Sequence, residues 1–209
     1  MTATRGLLSK LVRETRGVLP NTYRHTPLPR PSFSSAKSAP AHPLLLFDLN
    51  GTLVNTTDHR QRTGRMRVPP GVVHLKRLLP HFRLGVYSCD TNRKVREAVR
   101  LIDAVVEDSL FTTHLDAKAC DVFPDRMEKP LRKHFGPGCL SDVLLIDDTP
   151  HKSAPGERDN MIVVPTWHDA DDDDCVRVLI DTILSNADVG SDVRSWRRSV
   201  ARSFDVHAR

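Results

Sequence analysis

Four short apolar runs mark the chain: Leu44–Phe47, Arg83–Ser88, Val143–Ile146 and Met161–Val164. Continuous apolarity over so few residues predicts strands buried on both faces. Helical patterns fall between them. Pro69-Pro70-Gly71 introduces an amphipathic stretch, Val72–Leu79, and Asn92–Ile102 places Val95, Val99 and Ile102 on one face. Lys129–Phe135 reads as a short helix closed by Gly136-Pro137-Gly138. Cys175–Leu184 reads as a helix turning Val176, Leu179, Ile180, Ile183 and Leu184 inward. Alternating strands and helices predict an α/β fold, a three-layer Rossmann-like parallel sheet with helices on both faces. Ligands of such sheets sit at the carboxyl ends of the strands. Here three strand ends carry polar clusters: Asp48, Asn50 and Thr52; Ser88; and Asp147 with Asp148.

Charge divides the chain further. Residues 1–40 hold seven Lys/Arg and one acid, leaving 24 basic against 25 acidic residues elsewhere. The basic balance thus belongs to the N-terminal segment, and no nucleic-acid partner is expected, because that needs a basic face on the folded part. Leu7, Leu8, Leu11, Val12, Val18 and Leu19 alternate with Arg and Lys, and six prolines follow between residues 20 and 43. This basic, Ser- and Pro-rich segment, 1–42, reads either as an organelle transit peptide or as an ordinary basic tail. The first reading implies a mitochondrion ahead of a plastid, and the second leaves nucleus or cytoplasm. A folded domain is expected over 43–190 and a basic C-terminal tail over 191–209. No apolar run is long enough to predict a transmembrane segment. The four cysteines lack zinc spacing and read as packed, reduced thiols, Cys89 as a neighbour of Ser88. The acidic run of Asp169 and Asp171–Asp174 reads as a cap for the following helix.

The strand-end residues suit phosphoryl transfer. A carboxylate closing a buried strand, as Asp48 does, can attack phosphorus and split hydrolysis into two easier steps. The charge on the transferring oxygens calls for a hard cation such as Mg²⁺, with Asp147 and Asp148 as acidic ligands. Ser88 and Lys129 can hold the phosphate oxygens.

Asp48-x-Asn50-Gly51-Thr52-Leu53 resembles the DxDGT motif of the haloacid-dehalogenase superfamily. Arg67-Val68-Pro69-Pro70-Gly71, then Leu84–Ser88, resemble the "RPG … WTS" segment of one branch. Leu144–Lys152 resembles its "LIDDSPxK" segment. That branch is the NIF-type family of phosphatases acting on the RNA polymerase II C-terminal domain, which also includes the presequence-receptor subunit of the mitochondrial TIM translocase. The resemblance covers about residues 43–187 and implies roles residue by residue. Asp48 would be nucleophile and first metal ligand. Asn50 would give a backbone carbonyl to Mg²⁺, Thr52 would support the loop, and Ser88 and Lys129 would bind phosphate. Asp148 would ligate the metal and Asp147 orient it. Lys152 is the rival for the lysine role, but follows the acidic motif.

At Asn50 the chain departs from the family's general acid/base aspartate. An amide cannot take up and return a proton near neutral pH, so either turnover is slow or the proton travels by water or by His151. Two expectations remain: a slow Mg²⁺-dependent phosphatase for phosphoprotein, acting through an aspartyl-phosphate, or a weak or inactive binding protein such as an import component. About fourteen residues separate Thr52 from Arg67, too few for a cap domain. The expected site is therefore open to a phosphorylated protein side chain or protein partner, and the expected state is monomeric.

Overall fold

A computed structural model describes residues 42–56, 66–168, 174–188 and 190–207. The amphipathic N-terminal segment and four of the five acids at 169–174 lie outside them. At the centre, β1 (Leu44–Phe47) pairs in parallel with β4 (Arg83–Tyr87) on one side and β8 (Val143–Asp147) on the other. Outer strands β5 (Phe111–Leu115) and β9 (Met161–Val163) complete a parallel sheet ordered β5-β4-β1-β8-β9. Two short antiparallel pairs stand apart from it: β2 (Asn55–Thr56) with β3 (Met66–Arg67), and β6 (Asp121–Val122) with β7 (Met127–Glu128).

The two-residue side-chain period of a strand divides β1 between two cores. Leu45 and Phe47 join Leu84, Val86, Leu144, Ile146 and Ile162 on one face. Helices α1 (Asn92–Val106), α3 (Cys175–Asn186) and α4 (Val193–His207) and a 3-10 helix, Pro70–Leu78, supply the rest of that core. Leu44 and Leu46 turn the other way, to Tyr87, Leu145 and Met161. This second face is covered more thinly, by the five-residue α2 (Leu131–Phe135) and by loop residues Ala119, Cys120, Cys139 and Leu140.

Four differences from the sequence pattern have physical causes. The segment Pro70–Leu78 is helical but of 3-10 form, and its buried Val72, Leu75 and Leu78 recur every third residue. That spacing fits three residues per turn. Strand β5 escapes the apolar pattern because it is a sheet edge: Phe111 is buried but Thr112 and His114 are exposed. Asp174 stands at the N-cap of α3 without capping it; its carboxylate instead accepts from Arg177 Nε at 2.8 Å. The expected C-terminal tail is, from Val193, the helix α4, whose Val193, Trp196 and Val200 are buried. Trp196 lies 6.0 Å from the Phe82 ring, and Arg197 Nε donates to Met161 O at 2.6 Å. No helix among the described residues is long and apolar enough to cross a membrane.

Burial of an aromatic of this size makes α4 part of the stability of the domain. Trp196→Ala should cost about 3–5 kcal/mol, lowering the melting temperature by roughly 2–4 °C per kcal/mol in a domain of this size. Thermal unfolding measures it, and an unchanged midpoint would restore the reading of this segment as a solvated tail.

Candidate active site

Asp48 follows β1 directly, and Asp147 ends the adjacent β8. Parallel pairing places Phe47 opposite Ile146, and Asp48 N donates to Ile146 O at 2.8 Å. The two carboxylates therefore meet at the carboxyl end of the central strands. One oxygen from each of Asp48, Asp147 and Asp148 lies within 4.8 Å of the others.

Between them sits Lys129, which is 1% exposed. Its Nζ is 2.5 Å from Asp48 Oδ1 and 2.6 Å from Asp147 Oδ2. The helix expected over Lys129–Phe135 begins only at Leu131, so the lysine stands just before it. It stands between β7 and α2, where its N–H donates to Lys152 O at 2.7 Å. Just beyond it, the Leu131 and Arg132 amides donate to the buried Glu157 carboxylate at 2.7 and 3.0 Å. An acid at a helix start satisfies amides that have no partner within the helix. Glu157 thus fixes the segment that delivers Lys129. Lys152, the rival, turns elsewhere: its Nζ lies 3.4 Å from Cys89 Sγ.

The loop after Asp48 is wound tightly. Thr52, Leu53 and Val54 all donate their amides to Leu49 O, at 3.2, 2.9 and 2.8 Å. Gly51 adopts a φ of +85°, and a Cβ there would come within 2.5 Å of Asp148 Oδ2. Both facts require glycine. Asn50 Oδ1 and Thr52 Oγ1 are buried without a hydrogen-bond partner, an uncommon state that calls for an explanation. Asp147 has both oxygens engaged, Oδ1 by Thr149 N at 2.8 Å and Oδ2 by Lys129. Asp148 Oδ1 accepts from Thr149 Oγ1 at 2.9 Å. Ser88 is buried at the end of β4, beside β1, and its Oγ accepts from Asp90 N at 3.2 Å. His151 is exposed on the turn after Asp148.

Burial pushes the Asp48 carboxyl up to about 7; Lys129 opposes the rise, and the negative charges of Asp147 and Asp148 add to it. Burial works against the charge on Lys129 as well, but Asp48 and Asp147 outweigh it and hold the ammonium protonated beyond its ordinary range. A hard divalent cation fits this donor set. Asp48 and Asp148 offer carboxylate oxygens, the Asn50 side-chain oxygen is unpartnered, and oxygen-only coordination suits Mg²⁺.

A profile for "NLI interacting factor-like phosphatase" matches residues 43–194. The chain belongs to that family, a branch of the haloacid-dehalogenase superfamily. Among solved structures it is similar to the fission yeast RNA polymerase II CTD phosphatase Fcp1 bound to beryllium fluoride, at 17% identity and a TM-score of 0.48, covering 79% of this chain and 51% of that one. A second structure of Fcp1, an essential RNA polymerase II CTD phosphatase, is 16% identical with the same TM-score, covering 79% and 50%. The chain thus spans about half the length of those structures. No curated protein matches the sequence significantly.

The raised Asp48 carboxyl has a thermodynamic sign. Its folded-state pKa lies above the ordinary carboxylate value of 3.8, so the folded state holds the proton more tightly, and stability falls as pH rises from about 4 to about 7. Asp48→Asn removes the cost of ionising this group. In chelator, the variant should melt above the wild type at pH 8, with the gap narrowing as pH falls and closing near pH 4. Added Mg²⁺ should raise the wild-type midpoint far more than that of the variant. Equal responses in both proteins would remove Asp48 from the metal site.

Proposed function

We propose that this chain is a Mg²⁺-dependent phosphatase for phosphorylated Ser/Thr side chains of protein, acting through an aspartyl-phosphate on Asp48. The observation that carries this is Lys129 bridging Asp48 and Asp147, with Asp148 in reach of both. Mg²⁺ would be held by Asp48, Asp148 and the Asn50 backbone carbonyl, and when bound supplies positive charge to the phosphoryl oxygens. Asp147 positions rather than ligates, because Lys129 and Thr149 occupy its oxygens.

A carboxylate oxygen of Asp48 attacks phosphorus; the P–O bond to the carboxylate forms as the ester P–O bond breaks. Lys129, held charged, and the Ser88 hydroxyl meet the non-bridging oxygens. The departing alkoxide needs a proton, and the later attack of water on the acyl-phosphate must give one up. Asn50 can do neither, and general acid–base catalysis is typically worth about 10²–10⁴-fold. A protein substrate suits the site because only nine residues, 57–65, separate β2 from β3, too few to enclose a small metabolite under a lid domain.

The missing proton shuttle separates two kinetic phases. p-Nitrophenolate leaves without protonation, so Asp48 should be phosphorylated readily and freed slowly. Purified protein with Mg²⁺ should release a burst of about one nitrophenolate per chain, followed by a slow steady state. Asp48→Asn should abolish both phases, and Asn50→Asp should speed the steady state by about 10²-fold or more. Wild type and Asp48→Asn equally inert would end the enzyme reading. Activity absent even in Asn50→Asp would favour the second reading, a phosphate-binding import component, which Asn50 itself motivates.

A further inference from the structure

A second reactive cluster adjoins the phosphate site without belonging to it. Cys89 immediately follows Ser88, and its Sγ lies 3.5 Å from Cys120 Sγ. Lys152 Nζ approaches the same sulfur at 3.4 Å, and Cys120 Sγ lies 3.8 Å from Ser88 O. Cys89 is half-buried and Cys120 buried. The two sulfurs are in van der Waals contact although 31 residues separate them in the chain. The hydrogen bond from Cys120 is the largest influence drawing Cys89 toward its thiolate, down to about 6; burial opposes it, and Lys129 and Lys152 reinforce it. The same pairing, with burial, pushes the Cys120 thiol up. One sulfur is thus a nucleophile beside cations, and the other a protonated partner in contact with it.

We propose that Cys89 and Cys120 form a peroxide-oxidisable dithiol whose disulfide disables phosphate binding at Ser88. The Cys89 thiolate attacks one oxygen of a hydroperoxide; the S–O bond forms as the O–O bond breaks, giving a sulfenic acid and, after proton uptake, water or an alcohol. Cys120 then attacks the Cys89 sulfur and expels hydroxide, which leaves as water with the Cys120 proton. Two thiols lose two electrons and the peroxide gains them.

Little chain movement is needed. Ser88 N donates to Leu115 O at 3.0 Å, Tyr87 Oη to Ala119 O at 2.9 Å and Ala117 N to Asp90 O at 2.9 Å, so the two segments already lie against each other. A disulfide needs the sulfurs about 2.05 Å apart. Drawing Cys89 inward moves the residue bonded to Ser88 and removes the anion facing Lys152, and so displaces Ser88 from the phosphate position.

The effect on Ser88 rests on the proposed phosphate site; the crosslink itself does not. The full chain should be treated with substoichiometric hydrogen peroxide, its remaining thiols blocked with maleimide, and its peptides mapped by mass spectrometry. The expected result is a Cys89–Cys120 crosslink formed first, with Cys139 and Cys175 still alkylated. Cys120→Ser should instead accumulate Cys89 sulfenic acid, trapped with dimedone. Oxidation of Cys139 or Cys175 at the same rate, or sulfinic acid at Cys89 in the wild type without a crosslink, would overturn the proposal. The crosslinked protein should also lose at least ten-fold in affinity for inorganic phosphate with Mg²⁺, read as a melting-temperature shift and restored by dithiothreitol. Unchanged phosphate binding would overturn the link to Ser88. A chain that crosslinks and loses phosphate binding, yet hydrolyses nothing before oxidation, would refute the catalytic reading alone.

Discussion

The structure turns on one buried cation. Lys129 is enclosed between Asp48 and Asp147, and an unpaired charge in such a place is costly. Three carboxylates without it would repel one another at the centre of the sheet. The lysine makes the acidic cluster tolerable, and the cluster keeps the lysine protonated. Each motif therefore depends on another far along the chain. The residue after β1 needs the one that ends β8, and both need a segment that β7, Lys152 and Glu157 together hold in place.

Such mutual dependence explains what could be read from sequence. The central strands were legible because burial on both faces leaves only apolar residues, and Asp48, Asp147 and Asp148 were legible because each follows such a run. The edge strand β5 was not, because one of its flanks meets water and Thr and His suffice there. Helix α4 was hidden by its arginines: Val193, Trp196 and Val200 form a narrow stripe within an otherwise basic stretch. Glu157 carried no signal at all. Its role exists only because the chain returns to the start of α2, 25 residues away. The contact between Cys89 and Cys120 is of the same kind, brought about by the return of the chain after β5.

Asn50 is where local and global requirements part. The loop keeps its tight turn, its Gly51 at +85° and its closeness to Asp148, so the fold asks nothing of a carboxylate at that position. Catalysis does. The proposed function therefore divides one site into an intact part for binding and phosphoryl capture and a weakened part for moving protons.

Trapping the covalent intermediate tests that division most directly. The protein would be incubated with Mg²⁺ and acetyl phosphate, whose leaving group needs little help, then quenched with borohydride, which reduces an aspartyl-phosphate to homoserine. Homoserine is expected at position 48 in a large fraction of chains, because Asn50 slows release more than capture. Unmodified Asp48 in a protein that nonetheless releases phosphate would contradict that division.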